Sequence, residues 1–517
     1  MKGDFSRVSF DPRHHFSQVL LQQGRVTLDA DPNEQGAILL HYLRTLARDL
    51  FGAYGGPVDH LGFGLQIDAS GEAPVLRIDA GRYYVDGILC ENEGCDYGNQ
   101  PYYRPQPSDE QHSGDALSDW LQSRERGDQR YWLYLDVWER HVTAIEYPHL
   151  RETALGGPDT CSRLQVVWQV RALDLAALPK RLDARSARLK QRLEHTQDPH
   201  ERERLERALE RAQRASEALQ EEGGDVCSAP LEALARDALP QLAARVDPGQ
   251  RLDDPCLAAP DAAYRGVENN LYRVEIHRGS DNGAQPTFKW SRDNGSVASA
   301  CLSAQGEHLQ LASTRGFAAG QWVELSDERD DLQARPGALY LIDAIDGDAL
   351  LLDGALAWDT DAVHPKLRRW DQSAYGDVTL VDGAVPIPAA KDAQAQWIDL
   401  EDGVQIRFAA DADYRSGDYW LIPARVASGG IDWPTLADGS ATAQPPRGIE
   451  HHYAPLGVLG MQATGGGIGV TQSCSCSVTP MNSCSLGGER DALPRGGGGN
   501  GNATPGKKTP AKPKPHA

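Results

Sequence analysis

The stretch VTLDADPNEQGAILLHYLRTLARDLFG, Val26 to Gly52, combines two hydrophobic periods. Val26, Leu28 and Ala30 alternate with polar residues, which is the spacing of a strand. From Asn33 onward the apolar residues recur at the spacing of a helix. These helical apolar positions are Leu39, Leu43, Leu46 and Leu50. The stretch therefore predicts a strand that leads directly into a helix.

The junction between the two periods is the tetrapeptide Asp31-Pro32-Asn33-Glu34. An aspartate suits the helix N-cap, proline suits the first helical position, and Glu34 can reach back to the cap. Gly52 and the glycines that follow it predict the end of the helix. The pattern predicts a rigid strand–turn–helix, although no obviously reactive group stands beside it.

Charge and length limit the classes of protein to consider. The chain has 517 residues, with 52 Lys and Arg against 74 Asp and Glu, so its net charge is −22. This acidity argues against binding to nucleic acid or to an anionic membrane, since both carry negative charge. No apolar run is long enough to span a bilayer, and the charged N-terminus does not resemble a signal peptide. We therefore expect synthesis in the cytoplasm, which is compatible with later assembly into a released or extracellular particle.

Shifts in composition divide the chain, and the expected class is mainly β with an α+β N-terminus. Two β-rich modules, sandwich- or barrel-like, are separated by an inserted charged helical hairpin. The predicted segments are a strand–helix attachment element at 1–60, a β-rich module at 61–175, the helical hairpin and linker at 176–260, a second β-rich module at 261–461, and a disordered tail at 462–517.

Several local patterns support this division. Asp86-Gly87 between apolar alternations predicts a tight hairpin, because both turn residues tolerate a positive φ. Residues 131–147 predict two strands separated by the polar group Glu139-Arg140-His141. The run LQVVWQV, residues 164–170, predicts a strand buried on both faces.

The segment at 180–222 is charged and helical. Its seven-residue repeats predict two antiparallel helices with a heptad seam. The repeat positions are Leu182, Leu189 and Thr196 in the first helix, and Leu205, Ala212 and Leu219 in the second. Asp198-Pro199 predicts the start of the second helix. The glycine-rich end of the chain cannot bury enough apolar surface to order itself, which predicts disorder after 462.

No motif predicts catalysis, a cofactor or a metal. The adjacent His451 and His452 should face opposite sides of a strand and so not share an ion. The acidic run 327–332 lacks the spacing of a calcium loop and is interpreted as a solvated turn. Cys474, Cys476 and Cys484 offer three thiolates without an evident fourth zinc ligand, so metal binding there stays open. The pseudo-phosphate loop at 501–508 has no strand before it.

The remaining cysteines and the tryptophans are interpreted structurally. The six scattered cysteines are expected to be reduced; they are Cys90, Cys95, Cys161, Cys227, Cys256 and Cys301. Ten tryptophans in strand-like text favour core packing, while a stacking platform for sugars is the alternative. Those residues are Trp132, Trp138, Trp168, Trp290, Trp322, Trp358, Trp370, Trp397, Trp420 and Trp433. Glu275 and Asp293 are candidate carboxylates for glycan hydrolysis, which needs two of them in one cleft.

A set of phrases resembles an uncharacterised protein family encoded with phage-tail-like contractile injection particles. The phrases run in order from KGDFSRVSFDP and LLQQGRVTLDADPNEQ, through FKWSRDNGSV and YRSGDYWLIPAR, to PPRGIEHHYAPLG. The opening is similar, more loosely, to N-terminal attachment regions of phage tail and fibre proteins. The resemblance implies a particle component at or near the baseplate and brings no known catalytic residue.

The first function hypothesis is therefore a non-enzymatic structural or attachment component of such a particle. Its partners would be baseplate or fibre proteins, and a homo-oligomer stays open. Arg25, Asp31 and Glu34 are the candidate docking surface, since a rigid element loses little entropy on binding. The alternatives are a carbohydrate-binding or glycan-cleaving tail protein, and a cargo or effector of the particle.

Overall fold

The predicted class is confirmed by the computed structural model, which is mainly β and carries a helical hairpin between β-rich modules. The residues that the structure describes are 1–71, 73–103, 115–123, 127–196, 199–237, 239–249, 263–280, 285–373, 379–388, 396–409, 413–462 and 467–479. Met1–Val478 form one compact unit. The predicted bounds of the separate domains stay a prediction.

The α-helices of the described residues are α1 (Ala30–Phe51), α2 (Ala116–Gln122), α3 (Leu178–His195), α4 (Pro199–Gln220) and α5 (Glu328–Gln333). The strands before residue 250 are β1 (Tyr54–Pro57), β2 (Leu65–Asp68), β3 (Val75–Ile78), β4 (Gly81–Val85), β5 (Ile88–Asn92), β6 (Cys95–Asp96), β7 (Tyr131–Val142), β8 (Arg163–Asp174) and β9 (Leu242–Val246).

The later strands continue in chain order. They are β10 (Asn270–Arg278), β11 (Thr287–Ser291), β12 (Ala298–Gln305), β13 (His308–Leu311), β14 (Trp322–Ser326), β15 (Ala338–Asp346), β16 (Ala349–Leu352), β17 (Lys366–Trp370), β18 (Val385–Pro386), β19 (Ile398–Asp399), β20 (Val404–Phe408), β21 (Tyr419–Arg425), β22 (Gly430–Ile431), β23 (His452–Met461), β24 (Ile468–Ser473) and β25 (Ser477–Val478).

A long antiparallel ribbon organises the first β-rich module. β7 and β8 pair over twelve residues, from Tyr131 opposite Asp174 to Val142 opposite Arg163. The prediction of two strands around Glu139–His141 was wrong, because β7 runs through these residues without a turn. Glu139 and Arg140 stay inside one strand because they meet the charged partners Arg44 and Glu328 from distant segments, which local sequence does not reveal.

The chain returns to this first module near its C-terminal end. β23 pairs with β7, and β24 pairs with β23, which gives the sheet order β24-β23-β7-β8. Its core includes Leu133, Leu135, Val137 and Leu456. Strands far apart in sequence therefore share one sheet, and the first module is built from two separate parts of the chain.

The hairpin predicted at Asp86-Gly87 is confirmed. β4 and β5 are antiparallel, and the two turn residues have φ values of 48° and 80°. A Cβ on Gly87 would lie 2.3 Å from the backbone oxygen of Arg44. Glycine is therefore required both by the positive φ and by the helix that lies directly against the turn.

The second β-rich region contains a closed barrel, so the barrel-like alternative of the prediction is confirmed. Its strand order is β12-β13-β16-β15-β14-β17. Beside it lie a five-stranded sheet, β18-β11-β10-β21-β22, and a three-stranded sheet, β19-β20-β9. The acidic run that was interpreted as a solvated turn instead forms α5, because Asp327 and Asp330 complete a reciprocal capping box at its start.

The predicted helical hairpin is present as α3 and α4. The shared seam is buried at Leu182, Leu189, Leu205 and Ala212. Arg185 lies in the same hairpin, 3% exposed, and pairs with Glu232 and Asp237 in the segment that follows it. The hairpin is thus held by its own apolar seam and by one buried guanidinium. The predicted cap at Asp198 lies outside the described residues.

The prediction of disorder after 462 does not hold for residues 467–479. Here β24 joins the first sheet, and β25 pairs in parallel with β1. The prediction that Cys227 is reduced was also wrong, since it forms a disulfide with Cys474 across 247 residues. Neither the strand pairing nor the disulfide has a local signal in the sequence. Cys256, Cys484 and the loop at 501–508 lie outside the described residues.

At the N-terminus, the helix is confirmed as α1 but the strand before it is absent. Residues 26–29 are exposed and irregular, because no neighbouring strand offers them a ladder. Asp31 lies within the first turn and accepts a hydrogen bond from the Leu28 N–H at 3.0 Å. Glu34 accepts one from the Ser9 hydroxyl at 2.6 Å, so it does not reach back to the cap.

Candidate functional site

The first eleven residues, Met1–Asp11, form a partly buried strap that lies against both β-rich regions. The Met1 ammonium donates to the Tyr419 hydroxyl at 2.8 Å, and Arg273 donates to the Met1 carbonyl at 3.0 Å. The Asn294 side chain donates to the Gly3 carbonyl at 2.9 Å. The strap is therefore hydrogen-bonded to strands of the second β-rich region.

Behind the strap lies a cluster of buried charges. Lys2 pairs with Glu275 at 3.0 Å, and Lys289 contacts both Glu275 and Glu324. The Trp370 indole N–H donates to Glu324 at 2.9 Å, and the Lys289 ammonium lies 4.5 Å from the centre of the same ring. Every charge named here meets an opposite one, which is the condition for burying ions without a large loss of stability.

The strap also reaches the first module. The Phe5 and His141 rings meet edge to face, with their centroids 6.1 Å apart. Further along, Arg425 donates to the Ser6 carbonyl at 3.0 Å, and the Phe10 ring lies 5.8 Å from that of His41 on α1. One short segment thus contacts β7, β21 and α1, and it links both β-rich regions to the N-terminal helix.

A cavity of about 330 Å³ opens where these parts meet, and charged side chains line it. Arg44 pairs with Glu139 at 2.7 Å, and Lys366 pairs with Glu146 at 2.8 Å. Burial would raise the pKa of Glu146, but the charge and hydrogen bond of Lys366 and the two hydrogen bonds from Thr143 together lower the pKa to about 2. This carboxylate is therefore ionised and engaged at neutral pH.

Two other groups that line the cavity, His141 and Glu275, also have lowered pKa values. Burial is the main cause that lowers the pKa of His141 to about 3, and the nearby Met1 ammonium adds to it. Burial opposes ionisation of Glu275, but Arg273, Lys2 and Lys289 together hold its pKa well below the usual range. Groups whose pKa values lie so far below neutral pH are weak bases and carry no proton to donate, so they are poorly matched to proton transfer at neutral pH.

The residues considered above for metal binding or glycan hydrolysis contact other side chains of the protein. His451 and His452 contact different carboxylates, Asp136 at 2.6 Å and Asp86 at 2.9 Å. Asp293 is paired with Arg369 at 2.5 Å. In the described part of the chain, no group of three or more His, Cys, Asp or Glu is arranged to hold a metal ion.

The tryptophans pack as the structural interpretation predicted. Six of the ten are buried, namely Trp132, Trp138, Trp168, Trp290, Trp370 and Trp420. The other four, Trp322, Trp358, Trp397 and Trp433, are partly buried. Trp397, for example, lies between Arg245 and Arg407, whose guanidinium carbons are 4.0 Å and 4.7 Å from its centre.

After the strap, residues Pro12–Asp29 form an arm along the protein surface. All of the arm is exposed except Val19, whose N–H donates to the Gln35 side chain of α1 at 2.9 Å. The arm carries five exposed large apolar side chains, with exposed fractions from 45% to 86%: Phe16, Leu20, Leu21, Val26 and Leu28. The arm therefore carries several large apolar side chains that do not pack in the protein's own core.

The three residues predicted to dock lie at the end of the arm and the start of α1. Arg25 is exposed, and its backbone N–H donates to the Gln22 carbonyl at 3.3 Å. Asp31 and Glu34 are engaged in the hydrogen bonds to the Leu28 N–H and the Ser9 hydroxyl, so they shape the arm. A docking role for the three stays a prediction.

Helix α1 has an inner face and an outer face. On the inner face Ile38 is 1% exposed, Arg44 binds Glu139, and Arg48 lies 3.5 Å from Asp86. The outer face carries the four leucines that define the helical period, and they are 49% to 62% exposed: Leu39, Leu43, Leu46 and Leu50. Sequence periodicity found the helix, yet the leucine stripe faces away from the protein's own core.

The fold defines a mainly β protein with a barrel, an inserted helical hairpin and an N-terminal segment that leads from a partly buried strap to an exposed arm and a helix. The chain belongs to a family of unknown function, DUF6519, whose family model matches residues 1–494.

Two further comparisons add little. Among solved structures, a crystal structure of TssK aligns with 79% of this chain and 99% of that chain, at 10% identity and a TM-score of 0.15. A superposition at that score carries no argument about fold or function. A search of curated proteins finds no match. Within the described ranges, none of the helices is both long and apolar enough to cross a membrane.

Proposed function

We propose that this chain is a non-enzymatic structural component of a phage-tail-like contractile injection particle, attached to baseplate or fibre proteins through its N-terminal arm. The observation that carries the proposal is the arm itself, which exposes five large apolar side chains. Large apolar side chains exposed to this extent are unfavourable in water, and several of them in one short segment favour an interaction with another protein. The ordered phrases that resemble particle-encoded proteins supply the kind of partner.

The strap suits such an attachment role. The arm follows directly from a segment that is hydrogen-bonded inside the protein, through Met1 and Gly3, so its root is fixed. Its far end is fixed as well, because it leads into α1, which Arg44 ties to β7. A segment held at both ends loses less entropy on binding than a free tail does.

The protonation state of Glu275 in the cavity and the burial of the tryptophans support a non-enzymatic role in this proposal. A glycosidase acid must carry a proton at the working pH, whereas Glu275 is held ionised by three cations. The ten tryptophans considered for sugar stacking are buried or partly buried. No observation specifically favours the glycan or the cargo alternative.

Incorporation into particles from the native host tests the proposal. One strain carries the wild-type chain, and another carries serine at the five exposed apolar positions of the arm. A control strain carries Leu155→Ser and Leu302→Ser, which change side chains that are 70% and 61% exposed elsewhere on the surface.

We expect mass spectrometry to find the wild-type and control chains in purified particles, and the arm variant to be depleted although it is expressed and folded. Failure to find the wild-type chain in particles would refute the particle role. Normal incorporation of the arm variant would refute attachment through the arm.

A further inference from the structure

Helix α1 presents a leucine seam that nothing in the described fold covers. Leu39, Leu43, Leu46 and Leu50 follow one another at steps of four, three and four residues, and each is about half exposed or more. Steps of four and three residues alternate in the same way at the a and d positions of a heptad, which form the seam of a helix that packs lengthwise against another helix. A stripe that packed on the chain's own core would instead be buried, as Ile38 is on the opposite face.

The seam is bordered by further apolar side chains. Leu40 and Tyr42, on either side of it, are 44% and 53% exposed. Together with the four leucines they make an apolar face wider than a single row, which is typical of helices in a bundle. The charged residues Arg44 and Arg48 point away from this face, toward Glu139 and Asp86.

We infer that the outer face of α1 is a self-association surface, and that its occupant is the same helix from another copy of this chain. In a parallel pairing the leucines of one copy meet those of the other, so the seam is complementary to itself. A different helix is commonly selected as a partner by charges that flank the seam. Here the flanking positions carry Leu40, Tyr42 and Ala47, and Asp49 is the charged residue among them, so such selection by charge is weak.

The low charge of the outer face of α1 also makes it more suitable than the rest of the surface for contact between copies. Two chains of net charge −22 repel each other, so they associate through a face with little charge of its own. The long helices α3 and α4 are not available as partners, because their apolar seam is already buried between them. The inference does not require that the chain belongs to a particle.

The test measures the mass of the purified full-length chain by light scattering after size exclusion. The wild type is compared with Leu43→Glu/Leu46→Glu, which places carboxylates inside the seam. Leu302→Glu is the matched control, because Leu302 is an equally exposed leucine on the barrel strand β12. Circular dichroism and thermal unfolding establish that each variant is folded.

We expect the wild type and Leu302→Glu to have at least twice the monomer mass of 56.3 kDa, and the seam variant to have the monomer mass. As a second readout, oxidation should cross-link Leu43→Cys between copies but not Leu302→Cys. A monomeric wild type, or a folded seam variant that keeps the wild-type mass, would overturn the inference. The two proposals can fail separately. An arm variant that is lost from particles but keeps the wild-type oligomer mass would show that attachment and self-association use different surfaces.

Discussion

Arg44 and Glu139 form a two-point ion pair, with guanidinium-to-carboxylate distances of 2.9 and 2.7 Å. The pair ties the middle of α1 to β7, and it lies beside the Asp86-Gly87 turn on which the helix rests. The outer face of the same helix is left to solvent. The position of α1 therefore depends on a few specific contacts more than on a broad apolar interface.

Replacing this arginine should loosen α1 without unfolding the protein. We expect Arg44→Met to cost about 1 kcal/mol, because the pair is two-pronged but partly exposed. The effect should appear as faster amide hydrogen exchange in α1, with little change elsewhere. Arg207→Met is the control, since Arg207 pairs with Glu203 on the solvent side of α4. Equal exchange in α1 for the wild type and Arg44→Met would contradict the assigned role.

The buried charge cluster should be much more sensitive. Glu275→Gln leaves Lys2, Arg273 and Lys289 without their shared carboxylate, and an uncompensated buried charge typically costs about 3–5 kcal/mol. We expect a loss of this size in urea unfolding, and accelerated proteolysis of the strap. Glu203→Gln, at an exposed ion pair, should change stability by less than about 1 kcal/mol. A similar small effect for Glu275→Gln would show that the cluster is not stabilising.

The low pKa of His141 predicts a pH dependence of stability. Its pKa is about 3 in the folded chain, against an ordinary value of 6.5, so the unfolded chain binds the extra proton between these values. Stability due to the neutral ring is complete above pH 6.5 and is lost as the pH falls toward 3. Between pH 7.5 and 5.5 the wild type should therefore lose about 1.4 kcal/mol more than His141→Gln.

Urea unfolding of both proteins at the two pH values measures this difference directly. His277, whose pKa is also lowered, to about 4 and mainly by burial, titrates in both proteins and cancels in the comparison. Identical losses in the wild type and His141→Gln would mean that the ring is not kept neutral by the fold.

The disulfide between Cys227 and Cys474 should stabilise the C-terminal strands. Removing a bond that closes so long a loop typically costs about 2–5 kcal/mol. We expect Cys474→Ser to lower the melting temperature under oxidising conditions, and a reducing agent to bring the wild type to the same value. Cys476→Ser should behave like the wild type, since Cys476 is a free thiol. A wild-type melting temperature that is insensitive to reducing agent would argue that the bond does not form in solution.

Short-range features could be predicted because their causes are local. The Asp86-Gly87 turn follows from the positive φ that both residues tolerate, and the α3–α4 hairpin follows from apolar residues seven apart. The face of α1 that packs against the protein, which carries Arg44, could not be predicted from local spacing. Both faces of that helix carry apolar residues, and only the position of the β4–β5 turn decides which face is buried.

Local sequence was likewise insufficient to place the residues of the candidate site. The polar group Glu139-Arg140-His141 has the composition of a turn, yet it lies within β7 because Arg44, Glu328 and the strap supply distant partners. The strand expected at 26–30 is absent because alternation creates a strand only where a neighbour completes its hydrogen bonds.

By itself, the sequence determined α1, the α3–α4 hairpin, the Asp86-Gly87 turn, the β-rich class and the acidic net charge, since these depend on spacing and composition along the chain. The tertiary structure decided the joining of β23 to β7, the disulfide to Cys474, and the orientation of the α1 leucines toward solvent. Those features depend on contacts between residues far apart in the chain, and such contacts are decided by the packing of the whole fold.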